Sequence, residues 1–162
     1  MVKVADISVN VNGEILKDRI FTRMSLLDFI RDRAGLTGTH TGCEHGVCGA
    51  CSVIFEGQPV RSCSILAVQA NGKSVITVEG LGNEDGTTSL LQDAFCDAHA
   101  MQCGYCIPGM LISAHALLER NPDPSIEHIK EAIGGNICRC TGYVQIIEAI
   151  QLASSRKAAA QI

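Results

Sequence analysis

Nine cysteines in 162 residues constrain this chain more than any other feature, because eight of them fall into two sets of different spacing. Cys43, Cys48, Cys51 and Cys63 follow C-x4-C-x2-C with a distant fourth thiol. Cys103 and Cys106 form a C-x2-C pair, and Cys138 and Cys140 form a C-x-C pair in "GGNICRCTGY". Thiols one residue apart lie too close for an unstrained disulfide. The odd total and the lack of an export signal also argue against an extracellular disulfide framework. In a reducing compartment, clustered thiols bind metal or carry out redox chemistry. The net charge of −4 offers no basic footprint for nucleic acid or an anionic membrane. No apolar run approaches the ~20 residues of a membrane helix, so the expectation is a soluble, cytoplasmic protein.

The polypeptide divides into two halves of different character. Over residues 1–80, Ile7, Val9 and Val11 alternate with polar neighbours, and Asn12-Gly13 is a strong hairpin signal. A second strand is expected over Glu14–Ile20. Ser25 is a helix N-cap with Asp28 three residues on, and Gly35 is a natural stop. Further strands are expected at Ser52–Phe55 and Ser74–Val78. Residues 88–162 read as helical: Ser89 caps one helix, Pro108 suits the first turn of a second, Ser125 caps a third, and residues 143–154 form a fourth. The Ala-rich end is expected to fray. The polar segment 81–87, "LGNEDGT", is the linker. The fold class is therefore α+β, with a strand-rich domain followed by a helical one that suggests a bundle.

The cysteine sets divide along the same boundary. The first has the plant-type spacing of a 2Fe–2S ferredoxin. Gly42, Gly46 and Gly49 in "TGCEHGVCGACS" permit positive φ, and Ala50 is small, so the loop can close and aim N–H groups at sulfur. In the second set each pair precedes a helix, where unpaired N–H groups and the helix dipole favour an anion such as a thiolate-ligated cluster. Zinc held by four cysteines is the alternative, but a paired-knuckle site wants two comparable C-x2–4-C pairs. Histidine ligation of the Rieske type lacks a second suitable histidine beside His45. Cys96, mid-helix in "LLQDAFCDAH", reads as a small core hydrophobe. His40, His45, His99, His115 and His128 show no ligand spacing and read as surface or capping residues. There is no convincing acid–base pair, dinucleotide fingerprint, Walker A loop or serine elbow.

The segments "GCEHGVCGACSV", "QCGYCIPGM" and "GNICRCTGY" closely resemble the iron–sulfur subunit of xanthine oxidase-family molybdenum hydroxylases. The resemblance runs from the first strand to about residue 154. It implies a β-grasp, ferredoxin-like domain followed by a four-helix bundle, each holding one 2Fe–2S cluster. Cys43, Cys48, Cys51 and Cys63 would ligate the first, and Cys103, Cys106, Cys138 and Cys140 the second. It implies a large partner carrying a molybdenum–pterin cofactor and a medium partner carrying FAD. Gln102 and Cys140 match positions that lie against the pterin, making the helical cluster the proximal one. "VQANG" and "IGGN" look most like the carbon monoxide dehydrogenase subgroup, and Ile107 stands where the family usually has Thr. The expected role is electron transfer from molybdenum through two clusters. The rivals are a stand-alone two-cluster ferredoxin and a zinc-stabilised interaction module.

Overall fold

Two hairpins and one bridging strand build the sheet. The computed structural model describes residues 3–160. β1 (Val4–Val11) pairs antiparallel with β2 (Glu14–Phe21), from Val4↔Phe21 to Val11↔Glu14. Asn12 and Gly13 between them both have positive φ, 52° and 91°, a turn geometry whose twist matches the strands it joins. β3 (Ser52–Phe55) and β4 (Gln58–Arg61) repeat the device through Glu56 and Gly57. β4 escapes sequence reading because it is short and carries Pro59, which an edge strand tolerates. β5 (Ser74–Ile76) lies parallel to β1 and antiparallel to β3, giving the order β2-β1-β5-β3-β4.

β5 ends two residues before the expected Val78. There Asn12 Oδ1 accepts from the Thr77 N–H at 2.8 Å, and its Nδ2 donates to Thr77 Oγ1 at 2.9 Å. The chain then turns away through Val78–Leu81. One face of the sheet packs on α1 (Leu26–Asp28), which widens into a π turn over Phe29–Arg33. Ser25 Oγ caps it, accepting from the Asp28 N–H at 3.0 Å. Ile7, Val9, Val11, Ile20, Leu26, Phe29, Ile30, Val53 and Val75 form a continuous core.

The second half contains α2 (Leu90–Asp97), α3 (Ile107–Arg120), α4 (Ile126–Ile133) and α5 (Val144–Ala159). Ser89 and Gln92 make a reciprocal capping box, and Ser125 pairs with His128 in the same way. α5 runs on to Ala159 rather than fraying. Alanine is the best helix former, and Arg156 and Lys157 in the last turns reach Asp97 at 2.7 Å and Glu119 at 2.8 Å. Residues 161 and 162 lie outside the described residues.

α2 packs along α5, and α3 packs against both α4 and β3. The helical core, built on Phe95, Met110, Ile112, Ile129, Ile146 and Ile150, accordingly includes Ile54 of β3. Between the cores, Asn83 closes a loop: its N–H donates to Thr87 O, and its Nδ2 donates to Thr87 Oγ1 and Thr88 O. The fold is α+β, with a mixed sheet. Among the described residues no helix is long and apolar enough to cross a membrane.

Candidate functional site

The first set of thiols is organised by its own loop. Glu44, Gly46 and Gly49 all take positive φ, which turns successive N–H groups inward. The amides of Val47 and Cys48 each donate to Cys43 Sγ at 3.3 Å. That donation, chiefly from Cys48 with His45 and Val47 contributing, lowers the Cys43 thiol to about 6. Gly42 does not use positive φ. Its requirement is space, since a Cβ there would strike Cys48 Sγ. Cys51 is buried, and burial pushes its thiol up to about 11, with Cys63 in contact beside it. Ser62 brings Cys63 in: its N–H and Oγ both donate to Cys51 O, at 3.2 and 2.7 Å. A Cβ on Gly46 would meet Ser64, so the loop and the Cys63 turn lie against one another.

The second set is assembled from two segments distant in sequence. Cys103 and Cys106 lead into α3, with Cys106 at its N-cap. Cys138 and Cys140 lead into α5 through Tyr143, held at φ 71°. The Cys103 and Cys140 sulfurs lie 3.5 Å apart although 37 residues separate them. Cys106 and Cys138 are in contact as well. Thr141 Oγ1 donates to Cys138 Sγ at 3.1 Å, and Tyr143 Oη accepts from the Cys138 N–H at 2.8 Å.

Electrostatics sort these thiols by environment. The Tyr105 N–H draws the Cys103 thiol down. Burial and then Cys138 push Cys106 up to about 12. Cys138 is lowered: burial opposes its charge, but the Thr141 hydroxyl and nearby amides outweigh it. Cys140 is raised by the thiol contact with Cys103. Each set therefore mixes thiols ready to ionise with thiols that resist, and a bound cation would relieve that crowding.

The donor chemistry fits 2Fe–2S clusters: four thiols per set, with N–H and O–H donors aimed at sulfur. The sulfurs approach in pairs, as suits a dinuclear centre in which each iron takes two thiolates. Among the described residues, no three His, Cys, Asp or Glu side chains are placed to hold a single metal ion.

The remaining expectations divide. Gln102 and Cys140 are brought together, with Gln102 Nε2 donating to Cys140 O at 3.1 Å, and both are exposed. Ile107 is buried in the helical core. Cys96 is exposed, not a core residue, because Leu91, Ala94 and Phe95 take the inner face of α2. His115 is not a surface residue either: it is half-buried on α3, and that burial lowers its pKa. His40 stacks on Tyr105 with ring centroids 4.7 Å apart and bonds its carbonyl at 2.8 Å, tying the approach to the first loop to the second. Sequence reading missed Tyr105, Thr141 and Tyr143, because single polar residues carry no spacing signal.

Comparison with known proteins bears on this site directly. Residues 77–151 match the family described as "2Fe-2S binding domain", and residues 14–102 match "2Fe-2S iron-sulfur cluster binding domain". The nicotinate dehydrogenase small FeS subunit of Eubacterium barkeri is 50% identical over 150 residues, covering 93% of this chain and 95% of that protein. Caffeine dehydrogenase subunit gamma of Pseudomonas sp. (strain CBB1) is 50% identical, covering 91% and 90%. Among solved structures, a chain of quinoline 2-oxidoreductase from Pseudomonas putida 86 superposes with a TM-score of 0.92 at 44% identity, over 98% of this chain and 99% of that one. Aldehyde oxidoreductase from Desulfovibrio gigas gives 0.90 at 36% identity, with this chain spanning 17% of its length. Two cysteine cages in one α+β chain, matched end to end by small FeS subunits, carry one conclusion: the chain belongs to the iron–sulfur subunits of the xanthine oxidase family.

Proposed function

We propose that this chain passes single electrons within a multi-subunit molybdenum hydroxylase. One 2Fe–2S cluster is held by Cys43, Cys48, Cys51 and Cys63, and the other by Cys103, Cys106, Cys138 and Cys140. The observation that carries this reading is the pairing of two complete four-thiol sets, each supplied with donors to sulfur. When bound, each cluster takes up and gives back one electron. The chain's own residues hold the thiols, shield Cys51 and Cys106 from water, and stabilise charge on Cys43 and Cys138.

In this reading residues 1–80 are a β-grasp ferredoxin-like domain, 81–87 a linker, and 88–162 a domain whose α2–α5 form a four-helix bundle. The exposed edge at Gln102 and Cys140 faces the pterin of a large molybdenum-bearing subunit, and a medium subunit carries FAD as the next acceptor. Nine unpaired thiols suit the reducing cytoplasm. The substrate is chosen elsewhere in the complex: relatives named for nicotinate, caffeine and quinoline all resemble this one chain.

The test is co-purification followed by rapid mixing. The chain is expected to purify with a much larger molybdenum-containing partner, and to hydroxylate nothing alone. Gln102→Ala is expected to slow reduction of the clusters by substrate while leaving both assembled. An unchanged rate removes Gln102 from the path. A monomer that shuttles electrons between separate enzymes would favour the two-cluster ferredoxin instead.

A further inference from the structure

Three consecutive residues just before Cys138 each bond to the first thiol loop or the strands beside it. Gly135 O accepts from Arg61 Nη2 at 2.6 Å. Asn136 Nδ2 donates to Gly49 O at 3.0 Å and reaches Ser52 Oγ at 3.4 Å. The Ile137 N–H donates to Cys48 O at 2.9 Å. Every one of these contacts spans more than seventy residues of sequence. The outer two rungs are exposed at Gly135 and Ile137, whereas Asn136 is 1% exposed.

The centre of this strap is unusually demanding. Asn136 Oδ1 accepts from Ser113 Oγ of α3 at 2.8 Å, so one amide joins the helical core to the first loop. Its orientation follows from chemistry: Gly49 O can only accept, so the NH2 end must face it. The surroundings leave no slack. A Cβ on Gly109 of α3 would collide with Gly49 O, and a Cβ on Gly49 would strike Gly135 O and Asn136. Ser52 Oγ is engaged by Arg61 Nη1 at 2.6 Å and donates to Gly49 O at 2.6 Å. A fully buried amide with both ends satisfied is costly to displace, because any shift strands a polar group.

We propose that Asn136 is a positioning residue that sets the register between the two thiol cages. It acts through Gly49, the neighbour of Cys48, on one side, and through the Ile137–Cys138 segment on the other. The inference rests on each cage holding a 2Fe–2S cluster. Electron passage between two centres falls exponentially with their separation, so a device that fixes the separation belongs where Asn136 stands. Asn136 belongs to neither apolar core, so its bonds act at the junction and not in the packing of either cluster.

The experiment compares the loaded full chain with Asn136→Asp, which keeps the volume but turns an acceptor towards Gly49 O, and with Ser113→Ala, which removes only the hydroxyl that donates to the amide's other end. Iron content, the paramagnetic spectrum of each singly reduced cluster, and the spin–spin splitting in the fully reduced protein are measured. The expected result for Asn136→Asp is wild-type iron and single-cluster spectra, with loss or broadening of the splitting between clusters. Ser113→Ala should broaden it to a smaller extent. If Asn136→Asp fails to load iron, Ser113→Ala carries the test. An unaltered splitting in every variant that loads both clusters overturns the inference and leaves Asn136 a packing residue. A wild-type chain lacking two clusters overturns the parent reading, and this inference with it.

Discussion

The two sets of thiols are brought together by different means. In the first, Cys43 and Cys48 are five residues apart, and the thiol is met by amides of its own loop. In the second, sulfurs 37 residues apart touch only because the segments leading into α3 and α5 meet. A local cage is specified by backbone conformation, through glycines and turns. A non-local cage is specified by packing, so whatever disturbs the helical core disturbs its sulfurs. The strap at residues 135–137 joins the two kinds of cage.

Ligand removal should break the comparison most sharply. Cys43→Ser is expected to abolish one of two reduced paramagnetic signals and about half the iron, and Cys138→Ser the other signal and a similar share. Iron and acid-labile sulfide analysis with electron paramagnetic resonance checks this. Zinc in place of iron, or equal loss of both signals from a folded variant, would mean that the cages are not separate 2Fe–2S sites. The non-local cage should also feel its loss more widely. Cys138→Ser is expected to lower the thermal transition of the helical half beyond what Cys43→Ser does to the sheet.

A methyl group at the junction should act next. Gly109→Ala places a Cβ against Gly49 O, a backbone atom that cannot swing aside. Overpacking of this kind costs about 1–3 kcal/mol, readable as a lowered denaturation midpoint. No loss of stability would show that α3 can back away from the first loop without cost.

Thiol reactivity sharpens the contrast within each cage. Cys43 lies near 6 against a usual value of 9.0, so in metal-free protein it is anionic at neutral pH. Cys51 near 11 and Cys106 near 12 stay protonated there. Alkylation of the metal-free chain at pH 7, followed by peptide mass mapping, should label Cys43 first and Cys51 and Cys106 last. The Cys43 rate should rise through a midpoint near 6 as pH increases. Equal labelling of all three would remove the electrostatic account of the loop.

The smallest effect concerns His115. Burial lowers its pKa from the ordinary 6.5, so the unfolded chain binds a proton there before the folded one does. Stability is therefore lost as pH falls from about 6.5 towards the lowered folded value, below which both states are protonated and no further loss accrues. His115→Gln should flatten that limb of the stability profile while leaving neutral-pH stability within about 1 kcal/mol. A profile with the same slope in both proteins would place the acid sensitivity elsewhere.

Much of this architecture is legible without coordinates because its signals are short-range. Ser25, Ser89 and Ser125 cap their helices with their own hydroxyls, and Asn12-Gly13 turns its hairpin, since each interaction spans three residues or fewer. The misreadings have a common cause. Cys96 and His115 sit on helices whose sequence shows an apolar side but not which neighbour will cover it. β4 lacks enough length to alternate, and the Ala-rich end of α5 is held by Arg156 and Lys157 through partners on other helices.

What the sequence determined by itself is the thiol pattern: two sets, their order, and the glycines that let the first loop turn its amides towards Cys43. What only the tertiary structure decided is how those sets meet. Nothing in "GGNICRC" announces that Asn136 will be buried between Ser113 and Gly49, or that Cys140 will touch Cys103. Those contacts depend on where α3, α4 and β3 come to rest once two apolar cores have closed. The free energy of that closure is spread over dozens of side chains and written in no single motif.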